Sequence, residues 1–262
     1  MLDMKESLPL PILITGCARS MTSVVAGVIN MCGAFGGKMS GPNHNNQKGM
    51  FENARIRNEI VKPYLRHIGV DPMGQYPLPD VDNLMIPVDL KGKVERVMLE
   101  EGYETGPWMY KGAKMCLMWP VWHYAFPNAK WIIVRRRTGD IIQSCIKTGF
   151  MRAFIREEAQ KKVGAASEEE GWKWWVHQHE KRFVEMITEG VNCKIVWPHR
   201  MVQGDYQQLY ETLDWLGLEW QSEVLNFVDP LLDHSRKKEK QNGVFSNRQS
   251  RGRQNTLRPD IG

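Results

Sequence analysis

The 262-residue chain is 42% apolar and 25% charged, with 10 Trp and 15 Met, which excludes a disordered, collagen-like or disulfide-dense protein. Its net charge of +5 is unevenly placed: from His234 to Gly262 eight basic residues face two acids, whereas the first 233 residues carry 27 bases and 28 acids. A neutral body argues against a nucleic-acid binder, so one α/β domain over 1–233 is expected, followed by a basic Asn/Gln/Ser-rich tail at 234–262 that is either solvated or folded as a flap over an anion.

The run Pro11 to Thr15 is short, apolar and closed by Gly16, as in a buried parallel strand. Cys17 to Ser23 is small and polar, and Val24 to Cys32 then runs apolar to Gly33, which predicts a strand, a tight turn and a helix. Residues 38–50 are loop by composition, and a helix starts near Glu52 and passes Ile56, Ile60 and Val61. Pro72, Pro77, Pro79 and Pro87 mark 69–92 as an irregular excursion. Further on, a helix is expected from Val94 to Glu101, a strand from Trp108 to Lys111, and a helix from Leu117 to Phe126. Lys130 to Arg135 is the clearest strand in the chain. Helices at 139–150 and 168–188, a strand at 194–197, and helices at 209–216 and 222–227 complete the series. Strands alternating with helices imply right-handed crossovers and a mostly parallel sheet with helices on both faces, a three-layer α/β fold.

In such a sheet, ligands sit at the carboxyl ends of the strands, where helix N-termini point free N–H groups. Gly16 to Ser23 occupies the place of a phosphate-binding loop, but Met21 and Thr22 stand where G-x-x-x-x-G-K-[ST] requires Gly and Lys. Without that lysine the loop is poorly suited to nucleoside triphosphate hydrolysis. It keeps backbone N–H groups, the hydroxyls of Ser20, Thr22 and Ser23, and the Arg19 guanidinium, a set suited to a smaller anion. After the clearest strand come Arg135, Arg136 and Arg137, which repel one another unless fanned out or matched by an anion. Arg136 at the strand end and Ser144 in the next helix are both placed to reach one phosphate. Two anion sites on one sheet suggest a ligand phosphorylated at two places.

The two loops resemble those of the sulfotransferases that use 3′-phosphoadenosine 5′-phosphosulfate. Arg19-Ser20-Met21-Thr22-Ser23 is similar to the family's R/K-S-G-T-T loop for the 5′-phosphosulfate. Arg136 to Ser144 is similar to R-x-P-x-D-x-x-x-S, which binds the 3′-phosphate, with Asp140 in register. The departures are Met21 for Gly, Ser23 for Thr and Thr138 for Pro. Asn46 to Glu52 resembles the N-x-x-G-x-[FW]-E segment of bacterial-type members, Tyr110-Lys111-Gly112-Ala113 the N/E-K-x-P element of the tyrosylprotein and carbohydrate branches, and Phe126 to Lys130 the family's F-P-D-A-K. Gly204 to Leu209 and Trp215 to Leu218 are similar to its Y-E-D-L and F-L-G-L. The likeness spans roughly residues 10–232.

The resemblance implies a P-loop-type fold and sulfuryl transfer to a hydroxyl or amine of a small-molecule or glycan acceptor, releasing adenosine 3′,5′-bisphosphate and needing no metal. It assigns donor binding to Gly16, Arg19, Ser20, Met21, Thr22, Ser23, Arg136 and Ser144. Arg19 and Lys111 fall on the leaving oxygen, and Lys114 is an alternative to Lys111. Glu52 is the base, because Ala113 occupies the position where cytosolic members carry His; the residue is equally a first-turn helix acid beside Arg55. A small-molecule kinase and a non-catalytic nucleotide or nucleic-acid binder using the tail are the alternatives. Trp172, Trp174, Trp175, His179 and Phe183 share a helical face and are expected to pack, and His177 and His179 are two apart, a poor metal pair. Arg251-Gly252-Arg253 loosely resembles a flap over the 3′-phosphate. No run reaches the ~20 apolar residues of a bilayer span, Asp3 and Glu6 do not suit a secretory leader, and Cys17, Cys32, Cys116, Cys145 and Cys193 read as reduced thiols. A cytoplasmic protein without membrane or nucleic-acid partners is expected.

Overall fold

Four short strands, the first three buried on both faces and the fourth a partly exposed edge, pair in parallel in the order β2-β1-β3-β4. They are β1 (Ile12–Gly16), β2 (Met109–Lys111), β3 (Lys130–Val134) and β4 (Cys193–Val196). The computed structural model describes residues 8–43 and 46–228; the boundary at 233, the basic tail and the Arg251 to Arg253 segment lie outside them.

Alternate strand residues go to opposite layers, as the period of two requires. Leu13, Tyr110, Trp131 and Ile133 face one apolar cluster, covered by α2 (Lys62–His67), α3 (Leu90–Glu100) and α4 (Trp119–Ala125). Ile12, Ile14, Met109, Ile132, Val134 and Val196 face the other, covered by α1 (Thr22–Met31), α8 (Pro198–Val202), α9 (Gln207–Leu216) and α10 (Val224–Phe227). A third cluster lies between α5 (Thr138–Thr148) and α7 (Glu168–Thr188), with α6 (Glu157–Lys162) before α7. The mostly parallel three-layer architecture is therefore present, and among the described residues the sheet is wholly parallel. No described helix is long and apolar enough to cross a membrane.

Several expected boundaries shift. The helix expected near Glu52 passes through a π-helical turn at Ile56–Val61 and runs on without a break into α2, with Pro63 at the junction. The expected 117–126 helix is a 3₁₀ segment, Ala113–Met118, followed by α4. The helix expected from 139 to 150 stops at Thr148, where Gly149 takes a left-handed conformation.

Gly16 shows why the first strand ends as it does. A Cβ there would lie 2.5 Å from the Val134 carbonyl oxygen and 2.8 Å from Thr22 Cγ2, so β1, β3 and the first turn of α1 close up only around hydrogen. Gly16→Ala is expected to cost about 2–3 kcal/mol and lower the thermal midpoint by roughly 5–10 °C. Calorimetric unfolding checks this; an unchanged midpoint would mean the loop has room to relax.

Candidate active site

The register that pairs Ile14 with Lys111 and Gly16 with Val134 brings three strand tips together. Thr15 anchors the segment just beyond β2: its hydroxyl donates to the Gly112 carbonyl (3.1 Å) and accepts from the Cys116 N–H (3.2 Å). The 3₁₀ segment carrying Lys114 is thereby tied to β1.

A cavity of about 290 Å³ opens over these tips. Arg19, Met21, Thr22 and Ser23 line it from the first loop, Glu52 from the 46–52 segment, Lys111 and Lys114 from the end of β2, and Arg136 from the end of β3. Gly16, Ser20 and Ser144 are not in its wall. Ser20 is fully buried with a hydroxyl oxygen that has no hydrogen-bond partner among the described residues.

The first loop is strained. Arg19 (φ 69°) and Met21 (φ 66°) both take left-handed conformations, each costing roughly 1–2 kcal/mol for a side-chain-bearing residue. That conformation is natural for the Gly of the family motif; Met21 adopts it nonetheless, as the N-cap of α1, and no side chain caps the helix. The result is a concave run of backbone N–H groups ending on a positive helix terminus. Thr138 stands at the first position of α5, which is where proline is favoured, so its replacement of the family's Pro leaves the helix start in place.

The two motifs touch. Arg19 Nε donates to Ser144 Oγ at 3.0 Å, and Arg136 Nη1 donates to the Arg19 carbonyl at 2.9 Å. The two anion sites read from the sequence are thus adjoining. Arg136 is only 5% exposed, and burial lowers the pKa of Arg19, with nearby Cys145 opposing and Arg136 adding to the fall. Two close guanidinium groups in a confined space are a site for negative charge. The other arginines are accounted for separately: Arg135 pairs with Glu180 and lies over the Trp197 ring, 5.1 Å from its centroid, and Arg137 is exposed.

Glu52 is 7% exposed and pairs with Lys111, itself 4% exposed, at 3.6 Å. The alternative partner Arg55 instead pairs with Glu59 and Glu100. Asn53 locks the segment: its Oδ1 accepts from the Ile56 N–H (2.9 Å) and its Nδ2 donates to Glu101 (2.6 Å). Burial lowers the Lys111 pKa, and Glu52 opposes that fall. Lys114 has its pKa lowered by burial too, but no side chain among the described residues pairs with it. The 46–52 segment is also clamped to α10: Lys48 Nζ donates to the Phe227 carbonyl (2.6 Å), and the Phe51 and Phe227 rings meet edge to face at 5.6 Å.

His179, which the sequence assigns to a packing face, is a cavity residue. Trp172 and Phe183 are buried as expected of a packing face, whereas Trp175 and His179, also buried, line the cavity. Its Nδ1 donates to the Trp175 carbonyl (2.8 Å), which puts the proton there and leaves Nε2 as an acceptor. Burial pulls its pKa down to about 4, so the ring is neutral at pH 7. The exposed His177 faces elsewhere, and no group of three metal-ligating side chains occurs among the described residues.

Neither family models nor curated proteins give a match to the chain. Among solved structures it is similar to sulfotransferase STF9 from Mycobacterium avium, with 13% identity and a TM-score of 0.54 over 87% of this chain and 68% of that one. The sulfotransferase domain from the curacin biosynthetic pathway shows 15% identity and a TM-score of 0.49 over 84% and 78%. Sulfotransferase STF1 from Mycobacterium tuberculosis H37Rv shows 12% and 0.43 over 84% and 71%. With its parallel sheet, helices on both faces and first-strand loop, the chain has the P-loop-type α/β fold of the Mycobacterium avium sulfotransferase.

Proposed function

We propose that the protein is a sulfotransferase, moving a sulfuryl group from 3′-phosphoadenosine 5′-phosphosulfate to a hydroxyl or amine of a small-molecule or glycan acceptor by in-line displacement. On this reading residues 1–233 are the catalytic unit. The observation that carries it is the direct contact of the two anion-binding loops, Arg19 on Ser144 and Arg136 on Arg19, at a cavity that also holds a buried Glu52–Lys111 pair.

The residues present fit the donor. The loop from Gly16 to Ser23 contains no carboxylate, its helix has no side-chain cap, and the Ser20 hydroxyl is buried without a partner among the described residues. When bound, the donor supplies the activated sulfuryl group. Met21, Thr22 and Ser23, which line the cavity, would hold its 5′ end through N–H and hydroxyl groups, with Gly16 and Ser20 in the loop behind them, and Arg136 would hold its 3′-phosphate, with Ser144 beside it fixing Arg19. Arg19 and Lys111 place positive charge where negative charge grows on the leaving oxygen. Glu52 accepts the acceptor's proton at its carboxylate.

Calorimetry with purified protein tests the reading. Adenosine 3′,5′-bisphosphate is expected to bind without magnesium and at least tenfold more tightly than ATP, about 1.4 kcal/mol. Preference for ATP with magnesium would make the protein a kinase. Bisphosphate binding that disappears with residues 234–262 would place the anion site in the tail.

A further inference from the structure

The charge lining the cavity is one-sided. Among the described residues, seven cations (Arg19, Lys48, Arg57, Lys62, Lys111, Lys114 and Arg136) line it beside one carboxylate, Glu52. Four of the seven are engaged. Arg19 and Arg136 join the two donor loops, Lys111 pairs with Glu52, and Lys48 donates to the carbonyls of Asn226 and Phe227.

Arg57, Lys62 and Lys114 are left. The first bonds only the neighbouring Asn58 amide oxygen (3.3 Å), and neither lysine has a hydrogen bond or ion pair among the described residues. They lie together: Lys114 feels the charges of Glu52, Lys62, Arg57 and Lys111, whereas the charged neighbour of Arg19 is Arg136. The π-helical turn at Ile56–Val61 carries Arg57 and delivers Lys62, and extra-residue turns of this kind re-aim side chains at functional sites. Three half-buried cations with only the distant Glu52, already paired with Lys111, to balance them repel one another unless a ligand supplies further negative charge.

The wall beside them is apolar and fixed. Lys114 lies along Gly74, its Cγ 3.5 Å from where a Cβ would stand, and the Gly74 carbonyl accepts from Trp175 Nε1 (2.9 Å). Met73, Leu117 and Trp175 line the same cavity, and the neutral His179 adds a hydrogen-bond acceptor but no charge.

We infer that the acceptor is an anion, a hydroxylated molecule with an apolar body whose carboxylate or phosphate ester rests among Arg57, Lys62 and Lys114 on the Glu52 side of the cavity. This rests on the sulfotransferase reading and adds the acceptor's chemical class to it. Arg19 and Arg136 serve the donor; the second cationic group selects what is sulfated.

The test titrates full-length protein, free and saturated with adenosine 3′,5′-bisphosphate, with 4-hydroxyphenylpropionate, 12-hydroxydodecanoate and 4-hydroxyphenyl phosphate, each beside its neutral methyl ester or unphosphorylated counterpart. At least one anion is expected to bind about tenfold more tightly than its neutral partner. Comparison of the carboxylates with the phosphate identifies the headgroup. The double variant Arg57→Gln/Lys62→Gln is expected to reduce that preference below twofold and to leave bisphosphate affinity within twofold. Should the double variant fold poorly, raising salt on the wild type is expected to weaken the anion and spare the neutral partner. Equal binding of anion and neutral partner, or no binding of any anion, overturns the inference. So does a tenfold loss of bisphosphate affinity in the double variant, which would assign these cations to the donor. Absence of bisphosphate binding to the wild type overturns the sulfotransferase reading instead, and the preference measured on free protein still decides whether the cavity selects anions.

Discussion

Glu52→Gln is expected to lower turnover at least about a hundredfold, the span of general-base effects being roughly 10²–10⁴, with bisphosphate affinity unchanged. Glutamine keeps the shape and one acceptor oxygen but cannot take up a proton, and among the described residues that line the cavity there is no second carboxylate to replace it. The substitution also removes the partner of Lys111. Burial already lowers that ammonium pKa and Glu52 is what opposes the fall, so in the variant it drops further. Between the lowered native pKa and the ordinary lysine value the unfolded chain binds more protons than the folded one, and stability of the variant therefore rises with pH through that window. Single-turnover rates and calorimetry on the same preparation separate the two effects. Turnover retained within about threefold of wild type, below the lower bound for a general base, would remove Glu52 from the proton transfer.

Arg136→Ala is expected to weaken adenosine 3′,5′-bisphosphate by roughly 10²–10³-fold, because a buried guanidinium at the tip of β3 makes charge-assisted bonds worth about 1.5–3 kcal/mol each and also holds the Arg19 carbonyl. Ser144→Ala removes a neutral hydroxyl, about 1 kcal/mol or roughly fivefold. It also releases Arg19 Nε, so the two substitutions should not add. A double-mutant cycle is expected to show coupling of about 0.5–3 kcal/mol, the range for residues in one network. Titration calorimetry measures it. A loss of less than about threefold for Arg136→Ala, far short of one charge-assisted bond, would place the 3′-phosphate elsewhere.

The sheet was legible where chemistry is local. Pro11 to Gly16 and Lys130 to Arg135 read as strands because apolar runs of that length, ended by glycine or by charge, have few other uses. Both loops were legible for the same reason, their residues being consecutive. The short helices α6 and α8 and the π-helical turn were not expected, since one or two turns leave too little periodicity, and tertiary packing decides them. Glu52 was found by motif, but its pairing with Lys111 depends on β2 lying beside β1, which no local pattern encodes. Arg135 was expected to need either spacing or an anion; the answer, Glu180 and Trp197, lies on α7 and just beyond β4. His179 was grouped with its aromatic neighbours because helical periodicity gives the direction of a side chain but not what stands opposite. Its bond back to Trp175, four residues earlier, becomes informative only once the cavity is seen.

The clamp between the 46–52 segment and α10 makes two properties inseparable. Phe227 fills the space over Gly27, within 2.4 Å of where a Cβ would stand, while its carbonyl takes the Lys48 ammonium and its ring meets Phe51. The same short helix therefore lines the cavity through Phe227 and braces the segment that carries Glu52. Displacing it is expected to enlarge the cavity and loosen Glu52 in a single movement, so that, with Glu52 as the proposed base, admission of a bulkier guest and loss of chemical competence share one mechanical coordinate.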